Sequence, residues 1–140
     1  MAPFVVDPAV TVKWFVPETF SDSAARLLDG GSELAAPDTL LADSAKIITF
    51  KTRLGQLSDD EGCLILEAIR SVPLMFLPSD PLLEPALRIA SKFEIPFIGG
   101  LSLAAAVQID GRLVTADRDF YESFQGTTFA MHVKWVGDIR

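Results

Sequence analysis

The sequence predicts a three-layer α/β fold, a central, mostly parallel sheet flanked by helices. Short apolar runs alternate with helical stretches along the whole chain, as strands joined by helical crossovers do. The runs Phe4-Val5-Val6, Leu34-Ala35-Ala36 and Leu74-Met75-Phe76-Leu77 lack polar alternation, the mark of strands covered on both faces. Two runs, residues 4–7 and 112–117, end in an acid, Asp7 and Asp117. Such acids fall at the carboxyl edge of the sheet, where open α/β folds bind their ligands.

Length and composition narrow the classes. The 140 residues read as one domain, residues 1–140, with enough chain for a sizeable core. A hydrophobic content of 49% against 22% charged residues excludes a disordered chain. Cys63 is the only cysteine and His132 the only histidine, which removes a disulfide framework, zinc-ligand spacing and a Ser-His-Asp triad. With no apolar run near the roughly 18 residues of a membrane span and no signal-peptide pattern, a cytoplasmic protein is the expectation. The net charge of -7 argues against a broad basic face for nucleic acid, so any such contact must be local.

In chain order, residues 8–15 predict a short helix halted by Pro17, and residues 21–28 a second, capped by Ser21 and ended by Gly30-Gly31. After a strand at 34–36, the longest helix runs over 40–54 with Leu40, Leu41, Ala45, Ile48 and Phe50 as its apolar residues. Ser58-Asp59-Asp60-Glu61 has the form of a capping box for a helix to about residue 70. A strand at 74–77 precedes Ser79-Asp80-Pro81 and a helix over 82–93, with Leu83, Ala86, Leu87 and Ala90 on one face. Gly99-Gly100 lead into a small-residue helix over 101–107, Asp110-Gly111 make a turn, and strands follow at 112–117 and 133–136.

Asp43, near the start of the longest helix, joins Asp7 and Asp117 as a site residue. If the three converge, their like charges require a cation, and hard divalent ions such as magnesium take oxygen ligands. A carboxylate-held ion can activate water and stabilise an in-line phosphoryl displacement. Ordinary roles fit the same residues: Asp7 before Pro8 also matches a helix N-cap, and solvated or capping acids account equally for the others.

Several stretches together resemble the PIN domain family, most closely its VapC toxin branch. They are Val6-Asp7 with Lys13-Trp14-Phe15-Val16-Pro17-Glu18, Leu40-Leu41-Ala42-Asp43, residues 95–106, Leu113-Val114-Thr115-Ala116-Asp117-Arg118-Asp119-Phe120, and Trp135-Val136-Gly137-Asp138. The resemblance covers nearly the whole chain. It implies a metal-dependent endoribonuclease acting on RNA, a toxin paired with an antitoxin protein, a homodimer, and Mg2+ or Mn2+ held by acids at the carboxyl edge. Asp7 matches the family's first acid and Asp117 its fourth, which makes Asp7, Asp43 and Asp117 the implied catalytic and metal-holding residues. Asp43 stands where the family has Glu, and the shorter side chain draws the carboxylate back by about 1.5 Å.

The departures fall on the site. Gly99 occupies the place of the third acid, Pro8-Ala9 the place of Thr-Ser, and Lys46 the place of an Asn. Lys46 lies three residues from Asp43, within reach along one helical face, so its ammonium can stand in for a metal or extend to solvent. Asp119 is a substitute for the missing ligand or a helix cap. The alternative to a ribonuclease is therefore a catalytically silent PIN-like module that binds an antitoxin, a PIN partner or RNA. A receiver-type phosphoacceptor is excluded, because Asp7 is not followed by the second acid that such domains need. On this reading Gly99→Asp with Lys46→Asn strengthens ion binding.

Overall fold

The computed structural model describes residues 2–140. Five strands form one sheet: β1 (Phe4–Val6), β2 (Leu34–Pro37), β3 (Met75–Leu77), β4 (Arg112–Thr115) and β5 (Val133–Trp135). Their order is β3-β2-β1-β4-β5 and every neighbouring pair is parallel. The sheet is thus of the expected class and parallel throughout. β1 is central, and its register with β4 sets Val6 opposite Val114, so the chain leaves both strands at the same edge.

The helices are α1 (Pro8–Lys13), α2 (Ser21–Ala25), α3 (Leu40–Arg53), α4 (Asp59–Arg70), α5 (Leu83–Phe93), α6 (Phe97–Gln108) and α7 (Arg118–Ser123). Alternation along each strand divides the core into two layers. Val5, Ala35, Leu113 and Val133 face α5, α6 and the Phe120–Phe124 ring pair, whereas Val6, Ala36 and Val114 face Val10, Trp14, Leu27 and Leu40. A smaller cluster of Val12, Ile48 and Ile69 seats the α3–α4 pair on α1. Ion pairs contribute little beside these layers. Arg88–Glu84 and Arg118–Glu122, for example, lie on exposed side chains, where such pairs are worth about 0–1 kcal/mol.

Several expectations are corrected. α6 begins at Phe97, four residues ahead of the expected start, and takes Gly99 and Gly100 into its first turn. The weak helix propensity of the glycines is overridden by packing: a Cβ on Gly100 would lie 2.6 Å from the Ala86 carbonyl oxygen of α5. On α5 the buried face is Ala86 and Ile89, and Leu83 and Leu87 point outward. Ser21 does not cap α2. Its hydroxyl donates to the Val16 carbonyl and accepts the Glu18 N–H, closing the loop before the helix, and Phe20 at φ 68 takes the cap position. Ser79, ahead of Asp80-Pro81, stands at the cap position but makes no side-chain cap bond. The Ser58–Glu61 capping box is formed in both directions. β3 is an edge strand with Met75 and Phe76 exposed, and Phe50, expected among the apolar residues of its helix, is 62% exposed.

Candidate active site

Asp7 follows the last residue of β1 and caps α1, its Oδ1 accepting the Val10 N–H at 2.8 Å, with Pro8 opening the helix. Asp117 repeats the device beyond β4. Its Oδ1 accepts the Phe120 N–H at 3.1 Å, and its own N–H donates to the buried Thr115 hydroxyl at 3.1 Å. Capping and ligation are therefore compatible roles rather than rivals, since the cap engages one oxygen of each carboxylate. The pairing of β1 with β4 brings the two acids side by side.

Their proximity shows in the electrostatics. Burial pushes the Asp7 carboxyl up to about 6, the Val10 N–H and Lys13 act against that rise, the Asp117 charge adds to it, and the Ala9 N–H opposes it weakly. Asp7 is thus a desolvated acid beside a second acid, an arrangement that favours either a proton or a cation.

Asp43 lies in the first turn of α3, half-buried. A buried hydroxyl pair fixes its helix to the one that Asp7 caps: Thr11 donates to the Pro8 carbonyl at 2.8 Å, and Thr11 and Ser44 are 2.8 Å apart. With the Thr11 proton committed, Ser44 is the donor. Asp7, Asp43 and Asp117 all line one pocket of about 470 Å³. Among the described residues, no three acidic, histidine or cysteine side chains stand close enough to form a preassembled ion cage. Within this pocket the Asp117 charge acts on Asp7, and Asp43 reaches the same lining from α3.

The rest of the wall is largely apolar, contributed by Ile47, Phe50, Ile98 and Phe120. Gly99 also lines it, and a Cβ there would lie 2.8 Å from Cε2 of the buried Phe120 ring. The Phe120 ring therefore crowds position 99. Lys46 lines the pocket and is exposed, and among the described residues it is in no ion pair, whereas Lys13 and Lys51 both reach Glu18. Asp119 is exposed and outside the pocket lining. His132 hydrogen-bonds the Gly111 carbonyl just before β4, at the opposite end of that strand from Asp117.

Sequence reasoning did not single out Thr11–Ser44, Thr115 or Phe50 for the site. The signal for Phe50 was available: it is seven residues, about two turns, beyond Asp43 and so shares its face of the helix. The signal for the Phe120–Gly99 contact was not, because it joins residues 21 positions apart through tertiary packing alone.

No family model matches the sequence. Over 122 residues, 86% of this chain and 93% of the relative, the sequence is 29% identical to Ribonuclease VapC3 of Pyrobaculum aerophilum. The fold is similar to the crystal structure of PAE2754 from Pyrobaculum aerophilum, with a TM-score of 0.71 at 18% identity over 97% of this chain and 85% of that one. It is also similar to a toxin-antitoxin complex from Klebsiella pneumoniae, with a TM-score of 0.56 at 11% identity over 93% of this chain and 94% of that one. Among the described residues, no helix is long and apolar enough to cross a membrane.

Proposed function

We propose, from the premise that the chain is a PIN domain of the VapC type, that it is an endoribonuclease using Mg2+ or Mn2+ held by Asp7 and Asp117. The observation that carries this reading is geometric: parallel β1 and β4 deliver Asp7 and Asp117 to one edge of the sheet, where both line one pocket with Asp43. Magnesium is commonly bound by one or two protein carboxylates, its remaining positions going to water and to substrate phosphate. A pair of acids therefore fits one such ion even with glycine at position 99. When bound, the ion supplies charge neutralisation for the phosphodiester oxygens and lowers the pKa of water.

The chain's own residues do the rest. Asp7 and Asp117 are held by their caps, so their carboxylates are oriented before any ligand arrives. Asp43, on the helix tied to α1 through Ser44 and Thr11, lines the same pocket and in this reading orients a water or accepts its proton. The likeness to a protein called a ribonuclease supports RNA as substrate, and the likeness to a toxin-antitoxin complex supports an antitoxin as partner. A homodimer belongs to the same reading.

The test is cleavage of a single-stranded RNA by the purified protein at pH 7 with Mn2+ or Mg2+, against EDTA. Cleavage that requires the ion is expected. If no products form with either ion, or if the products seen form equally in EDTA and with Asp7→Asn and so come from a contaminating nuclease, the hydrolase reading fails and the silent binding module replaces it.

A further inference from the structure

Phe50 has no evident structural reason to be where it is. A large aromatic side chain 62% exposed forgoes most of the stabilisation that burial would bring, roughly 1.5–3 kcal/mol for such a residue. It makes no ring pair with another aromatic residue among those described. Yet it lines the pocket that holds the three acids, on the same helix as Asp43 and Lys46.

The order along α3 is chemical as well as geometric. Asp43 stands at the acids, Lys46 one turn on, and Phe50 one turn beyond that, about 10 Å along the axis from Asp43. Lys46 carries the free cation of the pocket: Lys13 and Lys51 are drawn to Glu18, and among the described residues Lys46 has no carboxylate partner. A carboxylate site, then a free ammonium, then an exposed ring follow the sequence of groups in a nucleotide chain, from scissile phosphate to neighbouring phosphate to base.

We infer that Phe50 is a base-stacking platform and Lys46 a phosphate contact, together gripping single-stranded RNA beside the cleaved bond. The inference rests on the ribonuclease reading and adds to it the residues that bind substrate away from the acids. It also explains how a chain of net charge -7 binds RNA, by one local cation and a stacked ring in place of a basic face. A platform of this kind tolerates any base, because every base offers a π-face.

The experiment measures binding of a fluorescein-labelled, single-stranded RNA heptamer by anisotropy in EDTA, so that no cleavage intervenes. The wild type, Phe50→Ala and Lys46→Met are compared, and each is repeated with a heptamer carrying abasic sites. Phe50→Ala is expected to weaken binding roughly five- to a hundredfold, the range for losing one stacked base. On the abasic heptamer the same substitution is expected to change little. Lys46→Met is expected to lower the slope of log affinity against log salt by about one. Circular dichroism melting verifies that both variants fold, as exposed positions predict.

Three outcomes overturn the inference in distinguishable ways. Equal RNA binding by wild type and Phe50→Ala removes the platform and leaves the ribonuclease reading standing. Absence of RNA binding by every form removes the platform and the phosphate contact together, and the ribonuclease reading is then decided separately by the ion-dependent cleavage assay. If Lys46→Met leaves the salt slope of binding unchanged, the phosphate contact is removed and the platform is judged on the Phe50→Ala result alone.

Discussion

Asp7→Asn is expected to raise the stability of the protein at pH 7 while lowering ion-dependent RNA cleavage on the order of a hundredfold or more. The two effects come from one cause. Asp7 titrates near 6 in the folded chain, above the ordinary 3.8, so the folded state holds its proton more tightly than the unfolded state does. Its favourable contribution is complete below the ordinary value and is lost as pH rises through about 6. Above that pH the ionised carboxylate costs on the order of 2 kcal/mol, allowing for its partial exposure. Asn removes the charge and is as good an N-cap as Asp, so the Val10 N–H keeps its partner. Thermal melts from pH 4 to pH 7 should show the variant gaining several degrees over wild type at pH 7 and the difference closing toward pH 4. Excess Mn2+ should raise the wild-type midpoint at pH 7 and leave the variant unmoved. The activity loss follows from removing the charge that holds the ion, a contribution of several kcal/mol to the barrier. A variant that melts at or below wild type at pH 7 contradicts the burial account of Asp7.

Gly99→Asp, which restores a carboxylate at the place of the absent acid, is expected to destabilise the protein by about 1–3 kcal/mol. The new Cβ would meet the Phe120 ring at 2.8 Å, and that ring is packed against Phe124. The sequence paired this substitution with Lys46→Asn, on the reasoning that the ammonium blocks the ion. The structure adds a steric obstacle, Phe120. Gly99→Asp with Phe120→Leu is accordingly expected to recover part of the lost stability and to bind Mn2+ roughly tenfold or more tighter than wild type, since even groups that support metal ligands are worth 10- to 100-fold. Calorimetry on the single and double variants tests this. If Gly99→Asp alone is as stable as wild type, the ring is not what excludes a side chain from position 99.

What could be read from the chain depended on whether the information was local. The strands were legible because burial on both faces demands runs such as Phe4-Val5-Val6 and Leu113-Val114. Asp7 and Asp117 were legible because a carboxylate directly after such a run must lie at the edge of the sheet. The capping box at Ser58 was legible because it is made within four residues. The phase of α5 was not. Small Ala86 packs under α6 where the larger Leu83 and Leu87 were expected to turn inward, and periodicity alone does not say which side of a helix its neighbour takes. The start of α6 was hidden for a similar reason: Gly99-Gly100 read as a break, whereas close approach to Ala86 makes glycine fit at position 100 inside the helix. The site acids were legible as residues, and their spacing was not. That Asp7, Asp117 and Asp43 line one pocket depends on strand order and on the Thr11–Ser44 bond between helices.

The most direct measurement is a calorimetric titration of Mn2+ into wild type, Asp7→Asn, Asp117→Asn and Asp43→Asn at pH 7. The account predicts one binding event in the wild type, lost in the first two variants and retained, weaker, in the third. Wild-type binding in Asp7→Asn, or no binding in any form, would contradict it.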